Sequence, residues 1–186
     1  MEGLARLPIG SHYTLFDTVV GKFGAAWGEY GILTVDLLDQ SGDEGRIRDA
    51  QRSTVAVQAT PPAEIQFAID GIVRHLGGEP MDLSGIVLDM TGMPPFHQKV
   101  YKAARKIPPG RTASYRDLAV QAGSPLASRA VGQALSRNPF LIIVPCHRVL
   151  SATGNIGGFS AVGGTDTKMS LLMIERGMSG VTPQLR

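Results

Sequence analysis

The sequence predicts an α+β protein in which a small N-terminal sheet-and-helix domain precedes a mostly helical C-terminal domain with a helix-turn-helix. The first third is rich in β-formers broken by glycine turns, and the second half is a series of short helical patterns stopped by proline or glycine. Between the two, the charge changes sign. Residues 1–92 hold 6 Lys/Arg against 13 Asp/Glu, whereas residues 93–150 hold nine basic groups against the single acid Asp117. The formal net charge of +2 over 186 residues therefore hides two opposed halves. Residues 91–95, with Gly92, Pro94 and Pro95, read as a linker at the inversion, and this places the domains at 1–92 and 93–186.

Residues 12–20, 24–27 and 31–38 read as three strands of an antiparallel meander. The charged stretch 42–52 predicts a short exposed helix and 62–76 a longer one. In the latter Ala63, Ile65, Phe67, Ala68, Ile72 and Val73 partly follow the helical period before Gly77 and Gly78 end it. Residues 83–88 predict a last strand. Beyond the linker, Phe96, Val100, Ala103, Ala104 and Ile107 have helical spacing, stopped by Pro108, Pro109 and Gly110. Ser114 and Asp117 form the S-x-x-D pattern of a capping box, opening a short helix that Gly123 can close. Ser124 as N-cap, with Pro125 at the first helical position, predicts a second helix ended by Asn138 and Pro139. Two short helices around a glycine turn make a helix-turn-helix pattern.

On that second helix Ala127, Val131, Ala134 and Leu135 gather on one side, and Arg129, Gly132, Gln133 and Ser136 on the other. The outer face is thus one long cation among small residues. An exposed mid-helix glycine costs about 1 kcal/mol against alanine, so something must approach the backbone at Gly132, either a ligand or another helix. The basic excess of 93–150 fits a surface that meets phosphates, or a solvated basic face.

One cysteine, Cys146, excludes an internal disulfide and a cysteine-rich zinc site, and no metal or cofactor is expected. The chain start lacks a basic stretch leading into an apolar run, and no segment offers 18 uninterrupted apolar residues. A soluble cytoplasmic protein without membrane contact is the expectation. Residues 141–144, a β-branched apolar run between Pro139 and Pro145, read as a buried strand or extended segment from which Cys146 emerges into a turn. Most lone cysteines are inert core residues, but His147 and Arg148 follow directly and both favour the nucleophilic thiolate. Downstream, Gly154, Gly157, Gly158, Gly163 and Gly164 make a loop able to pass close to a ligand. The helix 165–176 then carries Glu175 on the stripe of Leu171 and Leu172, in a last turn where the dipole disfavours a carboxylate. An acid placed against both rules points to a buried partner, and His147 is the natural one.

The run from Val144 to Val149, with Ser114 and Tyr115, Ser128 to Gly132, Asn138 and Pro139, Gly157 to Ser160, and Lys168 seven residues ahead of Glu175, resembles the O6-alkylguanine-DNA alkyltransferase family. These motifs cover roughly residues 95 to 178 in the family's order. Residues 1–92 resemble its variable amino-terminal domain only in size and strand-then-helix order. The resemblance implies a monomer that repairs double-stranded DNA carrying O6-alkylguanine, with O4-alkylthymine as a second substrate. The alkyl group passes irreversibly to Cys146 after the base is flipped through the minor groove. It implies Arg129 as the finger filling the vacated stack and Tyr115 as the residue turning the phosphate and donating to guanine N3. Ala127, Ser128, Gly132, Ser136 and Arg137 would complete the DNA face. His147 would draw the thiol proton through a bridging water, Glu175 would orient the imidazole, and Asn138 would act as hinge. The carbonyls of Cys146 and Val149 would accept from the base amine, Ser160 would meet the O6 edge, and Leu141, Phe159 and Gly157 would shape the base pocket.

The sequence departs from the family pattern at Leu141, where several relatives carry proline or a smaller residue, at Phe159, which replaces a common tyrosine, and at Ala161 and Val162, which lengthen the loop. The zinc-binding cysteines of some members do not exist here. Three other classes compete. A non-catalytic lesion binder would lack the cysteine. A major-groove regulator would need base-reading side chains around Arg129. A cysteine hydrolase would leave the basic segment unexplained.

Overall fold

A computed structural model describes residues 9–38 and 56–179. The helix expected over 42–52 lies outside the described residues. Strands β1 (Ser11–Thr18), β2 (Gly21–Gly28) and β3 (Gly31–Leu37) form the expected antiparallel meander. β1 stops two residues short of the expected end, because Thr18 Oγ1 accepts from the backbone N–H groups of Val20 and Gly21 and turns the chain. A short strand missed in the sequence, β4 (Ala56–Gln58), adds parallel to β1 to give the order β3-β2-β1-β4. Three residues are too few to show a period.

Helix α1 (Ala63–Leu76) packs Ile65, Ala68, Ile69, Ile72 and Leu76 into a core shared with Phe23, Trp27 and Val35. The expected stripe was misplaced in part: Phe67 is 69% exposed and Val73 also reaches solvent, since the buried face runs through Ile65 and Ile69. The strand expected over 83–88 does not form. Ser84 N–H is capped by Asp82, and the Arg105 guanidinium takes the carbonyls of Leu83, Ser84 and Ile86 at 3.1, 2.6 and 2.7 Å. Those acceptors are therefore lost to a strand partner, and only a bridge between Ile32 and Leu88 remains.

Helix α2 (Pro95–Ala104) begins with proline in its first turn and buries Val100, Tyr101, Ala103 and Ala104. β5 (Ala113–Ser114) leads into α3 (Tyr115–Gln121) through a complete capping box between Ser114 and Asp117. α4 (Ser128–Ser136) starts three residues later than the Ser124 cap predicts. Ser124 instead completes the end of α3, its N–H bonding Ala119 O at 2.9 Å beyond left-handed Gly123, so Pro125 falls in the connecting turn. α4 buries Val131, Ala134 and Leu135 and exposes Arg129, Gln133 and Ser136, the division expected from its sequence.

Residues 141–144 are buried as expected but form turns rather than a strand. Ile142 has a φ of 72°, incompatible with an extended run, and Val144 N–H closes onto Phe140 O at 2.8 Å. The 3-10 turn Cys146–Arg148 follows, then β6 (Val149–Leu150), parallel to β5. α5 (Gly164–Ser179) runs past Gly177, which was expected to stop it. The edge of β3 holds the segment beyond α4: Val35 N–H bonds Pro139 O at 2.8 Å, Leu141 N–H bonds Val35 O at 3.0 Å, and Thr34 Oγ1 donates to Pro139 O at 2.9 Å. One apolar cluster consequently runs from Phe23 and Ile72 to Val144 and Leu171, across the charge boundary. No helix among the described residues is long and apolar enough to cross a membrane. We predict that Arg105→Met lowers unfolding free energy by about 1–3 kcal/mol, the range for carbonyls stripped of a charged donor; an unchanged urea midpoint would show that solvent replaces it.

Candidate active site

Cys146 is buried at the start of the 3-10 turn, its own N–H bonded to Val144 O at 2.8 Å. Asn138, two residues past α4, fixes the segment from both ends of its amide. Its Oδ1 accepts from Phe140 N–H at 2.9 Å, and its Nδ2 donates to Val144 O at 3.0 Å and to the Cys146 Sγ at 3.4 Å. The pairing of Ala113 with Val149 and of Ser114 with Leu150 sets the start of α3 beside the exit of the cysteine turn. Tyr115 thereby reaches the cavity in front of the sulfur.

That cavity has a volume of about 360 Å3 and is lined by Tyr115, Gly132, Leu135, Ser136, Cys146, Gly158, Phe159 and Ser160. It joins the outer face of α4, the glycine loop and the cysteine. Gly132 faces Tyr115 at the start of α3, which a β-carbon there would meet at 3.9 Å, an ordinary contact, and it lines the entrance to the cavity. Gly157, at a φ of +65°, backs the Tyr115 hydroxyl. Arg129 and Arg137 are exposed, and Ala127 and Ser128 are half-buried at the head of α4. Three expected pocket residues, Leu141, Val149 and Gly157, stand outside the cavity lining, Gly157 behind Tyr115. Leu141 is buried outside the cavity lining, in the core under β3, and the Val149 carbonyl already accepts from Lys168 Nζ at 2.8 Å, keeping its second lone pair for another donor.

Behind the sulfur lies a buried polar cluster centred on Glu175. Its Oε1 accepts from His147 Nε2 at 2.8 Å, His75 Nε2 at 2.9 Å and Arg148 Nη2 at 2.7 Å; Arg148 Nε bonds both oxygens at 3.0 Å, and Gly110 N–H reaches Oε2 at 3.3 Å. With Nε2 donating to the carboxylate, the His147 Nδ1 carries the lone pair, and it is buried without a protein partner. Burial alone would push the Glu175 carboxyl up, but donation from His147, His75 and Arg148 outweighs it and holds the group far below the usual carboxylate range. Burial lowers His147, more strongly than Glu175 raises it, so the ring rests neutral at pH 7.

The electrostatics of the thiol correct the sequence expectation. Arg148 is consumed by Glu175 and Ile107 O, and the cation acting on Cys146 is Lys168 of α5. Burial pushes the thiol up, against the downward pull of the Asn138 hydrogen bond and the Lys168 charge, so the resting sulfur is a thiol. Burial likewise lowers the Lys168 ammonium, and burial with the neighbouring sulfur raises the Tyr115 hydroxyl. His75 was missed altogether and Lys168 received no role from the residues alone. Both stood in the sequence as polar residues on apolar stripes, His75 three places after Ile72 and Lys168 three and four before Leu171 and Leu172. No group of three His, Cys, Asp or Glu among the described residues could hold a metal ion.

Residues 95–177 match the family described as 6-O-methylguanine DNA methyltransferase, DNA binding domain. The chain is 36% identical over 167 residues to the methylated-DNA–protein-cysteine methyltransferase of Mycobacterium tuberculosis, covering 89% of this chain and 92% of that one. The chain belongs to the methylated-DNA–protein-cysteine methyltransferase family. Another member, from Shigella flexneri, is 33% identical over 175 residues, 94% of this chain and 95% of its own. The crystal structure of the Mycobacterium tuberculosis OGT protein in complex with DNA matches with a TM-score of 0.72 at 32% identity, covering 90% of this chain and 94% of that chain. The enzyme assignment and the α+β fold expected from the sequence agree with these relatives.

Two measurements test the electrostatics of this methyltransferase. Below pH about 6.5 the unfolded chain protonates at position 147 while the folded ring resists, and below about 4.3 the same holds for Glu175; both make stability rise with pH. The melting temperature should therefore fall on acidification from pH 7, more steeply below pH about 4.5. A flat profile between pH 7 and 5 would contradict the His147 assignment. Glu175→Gln should remove about 3–5 kcal/mol of stability, because Arg148 is left buried without its counter-ion; an unchanged denaturation midpoint would exclude that coupling.

Proposed function

We propose that this methyltransferase removes the alkyl group from O6-alkylguanine, and from O4-alkylthymine, in double-stranded DNA, acting as a monomer and being consumed by one event. The carrying observation is that the Cys146 sulfur sits at the end of a cavity large enough for a nucleobase, whose wall is the small-residue face of α4. A duplex base cannot reach a buried sulfur, so the nucleotide must leave the stack, at a few kcal/mol. Arg129, exposed on α4, fills the gap, and Tyr115 at the cavity mouth turns the phosphate and donates to N3 of the base. Ala127, Ser128, Gly132, Ser136 and Arg137 meet the minor-groove backbone. Ser160 faces the O6 edge, with Phe159 and Gly157 at the rim, and the Cys146 and Val149 carbonyls accept from the exocyclic amine. Residues 1–92 form a supporting domain and 93–186 the DNA-binding, alkyl-transfer domain.

The proton path follows from the tautomer. The thiol proton passes through a bridging water to the His147 Nδ1 lone pair, and Glu175 balances the imidazolium that results. Lys168 favours the thiolate as it forms. Sulfur attacks the alkyl carbon, the C–O bond breaks, and its electron pair leaves on guanine O6 while the base is protonated to the neutral form. The thioether is too stable to return the group.

Intact-mass analysis after incubation with a methylguanine duplex should show one added methyl per chain, on the Cys146 peptide, without turnover. Repeated turnover or an unmodified cysteine would reject the reading, and Cys146→Ala should still bind the DNA. Arg129→Ala should slow repair of duplex DNA far more than reaction with a free alkylguanine base, at least tenfold more if extrusion is what the finger supports. Equal losses on both substrates would remove Arg129 from extrusion.

A further inference from the structure

We propose that His75 is a positioning residue of this active site, an imidazole supplied by the amino-terminal helix that shares the Glu175 carboxylate with His147 and so limits how firmly His147 holds a proton. The inference rests on reading Cys146 as the alkyl acceptor with His147 as its base. His75 lies on α1, 100 residues before Glu175, on a stripe otherwise made of Ile65, Ala68, Ile72 and Leu76, and only 1% of it is exposed. A buried polar ring is unfavourable there without compensation; its Nε2 meets Glu175 Oε1 at 2.9 Å, while its Nδ1 is buried without a protein partner. Facing a carboxylate, Nε2 bears the hydrogen and donates.

The oxygen that receives His75 is the same one that receives His147 and Arg148 Nη2. A carboxylate aimed at one imidazole alone stabilises the imidazolium strongly, and an imidazole already protonated cannot take the thiol proton. Each further donor on Oε1 draws on the same negative charge and weakens its hold on the His147 hydrogen. The charged and titratable groups around the pair are Arg148 from the 3-10 turn, His75 from α1, and the Lys168 and Cys146 pair on the sulfur side. Of these, Arg148 compensates the carboxylate charge, and His75 is the group contributed by the amino-terminal part. That part of the chain is thereby given a chemical task beyond bracing the segment after α4.

The test compares His75→Met, which fills the space without a donor, with His75→Gln, whose Nε2 can replace that of the imidazole. The proton uptake of His147 is followed by NMR in the full chain, together with the pH profile of methyl transfer to Cys146. His75→Met should raise the pH at which His147 takes up its proton, move the acidic limb of the profile upward, and slow transfer near neutral pH roughly three- to tenfold. His75→Gln should keep the wild-type limb. Lower melting temperatures for both variants with unchanged His147 titration would reduce His75 to a packing residue and overturn the proposal. Equal shifts in both variants would also overturn it. Nitrogen shifts of the wild-type chain give a reading that needs no stable variant: His75 should carry its hydrogen on Nε2, and a hydrogen found on Nδ1 would overturn the assignment. A shifted His147 titration without any methyl transfer would leave the His75 coupling standing and reject the alkyl-acceptor reading alone.

Discussion

The arrangement depends on one buried carboxylate. Glu175 is 1% exposed, and an ion so placed would be untenable without compensation. The Arg148 guanidinium cancels its charge, and hydrogen bonds from two imidazoles and the Gly110 N–H satisfy its oxygens. These partners come from three separate stretches of chain, His75 from α1, Gly110 from the turn before β5, and His147 and Arg148 from the 3-10 turn, while α5 carries the acid itself. Satisfying the ion and closing the tertiary structure are therefore the same event. The orientation of His147 is a by-product of that closure rather than of local sequence.

The sulfur is governed by opposing influences of similar kind. Burial favours the neutral thiol, while an amide donor and a buried ammonium favour the anion. Burial prevails in the resting protein, which keeps the only cysteine protonated and guarded against adventitious chemistry. The groups that would favour the anion are already in place at hydrogen-bonding or Coulombic range, so little has to move when the proton leaves. Asn138 ties the α3–α4 pair to the nucleophile within eight residues: its backbone N–H bonds Leu135 O at 3.2 Å in the last turn of α4, and its side chain donates to Val144 O and to the Cys146 sulfur.

Much of this was legible in the sequence where local chemistry decides structure. The capping box at Ser114, the exposed and buried faces of α4 and the meander of β1 to β3 follow from spacing and residue type. The pairing of Glu175 with His147 was legible because an acid on a leucine stripe at a helix C-terminus violates two rules at once. What escaped was decided at long range. Residues 83–88 have strand composition, yet Arg105 from a different helix claims their carbonyls. Ser124 is a fine N-cap in isolation but was already engaged by the preceding helix. Residues 141–144 have β-branched side chains because they are enclosed on all sides, and enclosure does not distinguish a turn from a strand. His75 was overlooked since its partner lies 100 residues away, although its place among isoleucines and a leucine was a readable sign.

The two-residue ladder between β5 and β6 aims Tyr115 at the cavity, and so short a ladder has no redundancy. Because side chains alternate along a strand, a slip of a single position would send Ser114 and its neighbour to the opposite side. The length of the surface stretch joining α2 to β5 is thus constrained by the reaction centre, despite the exposure of Arg111 and Thr112. Insertions for tagging or domain grafting that an accessible loop normally tolerates belong elsewhere on this scaffold, and homologues should vary in composition along this connection sooner than in its span.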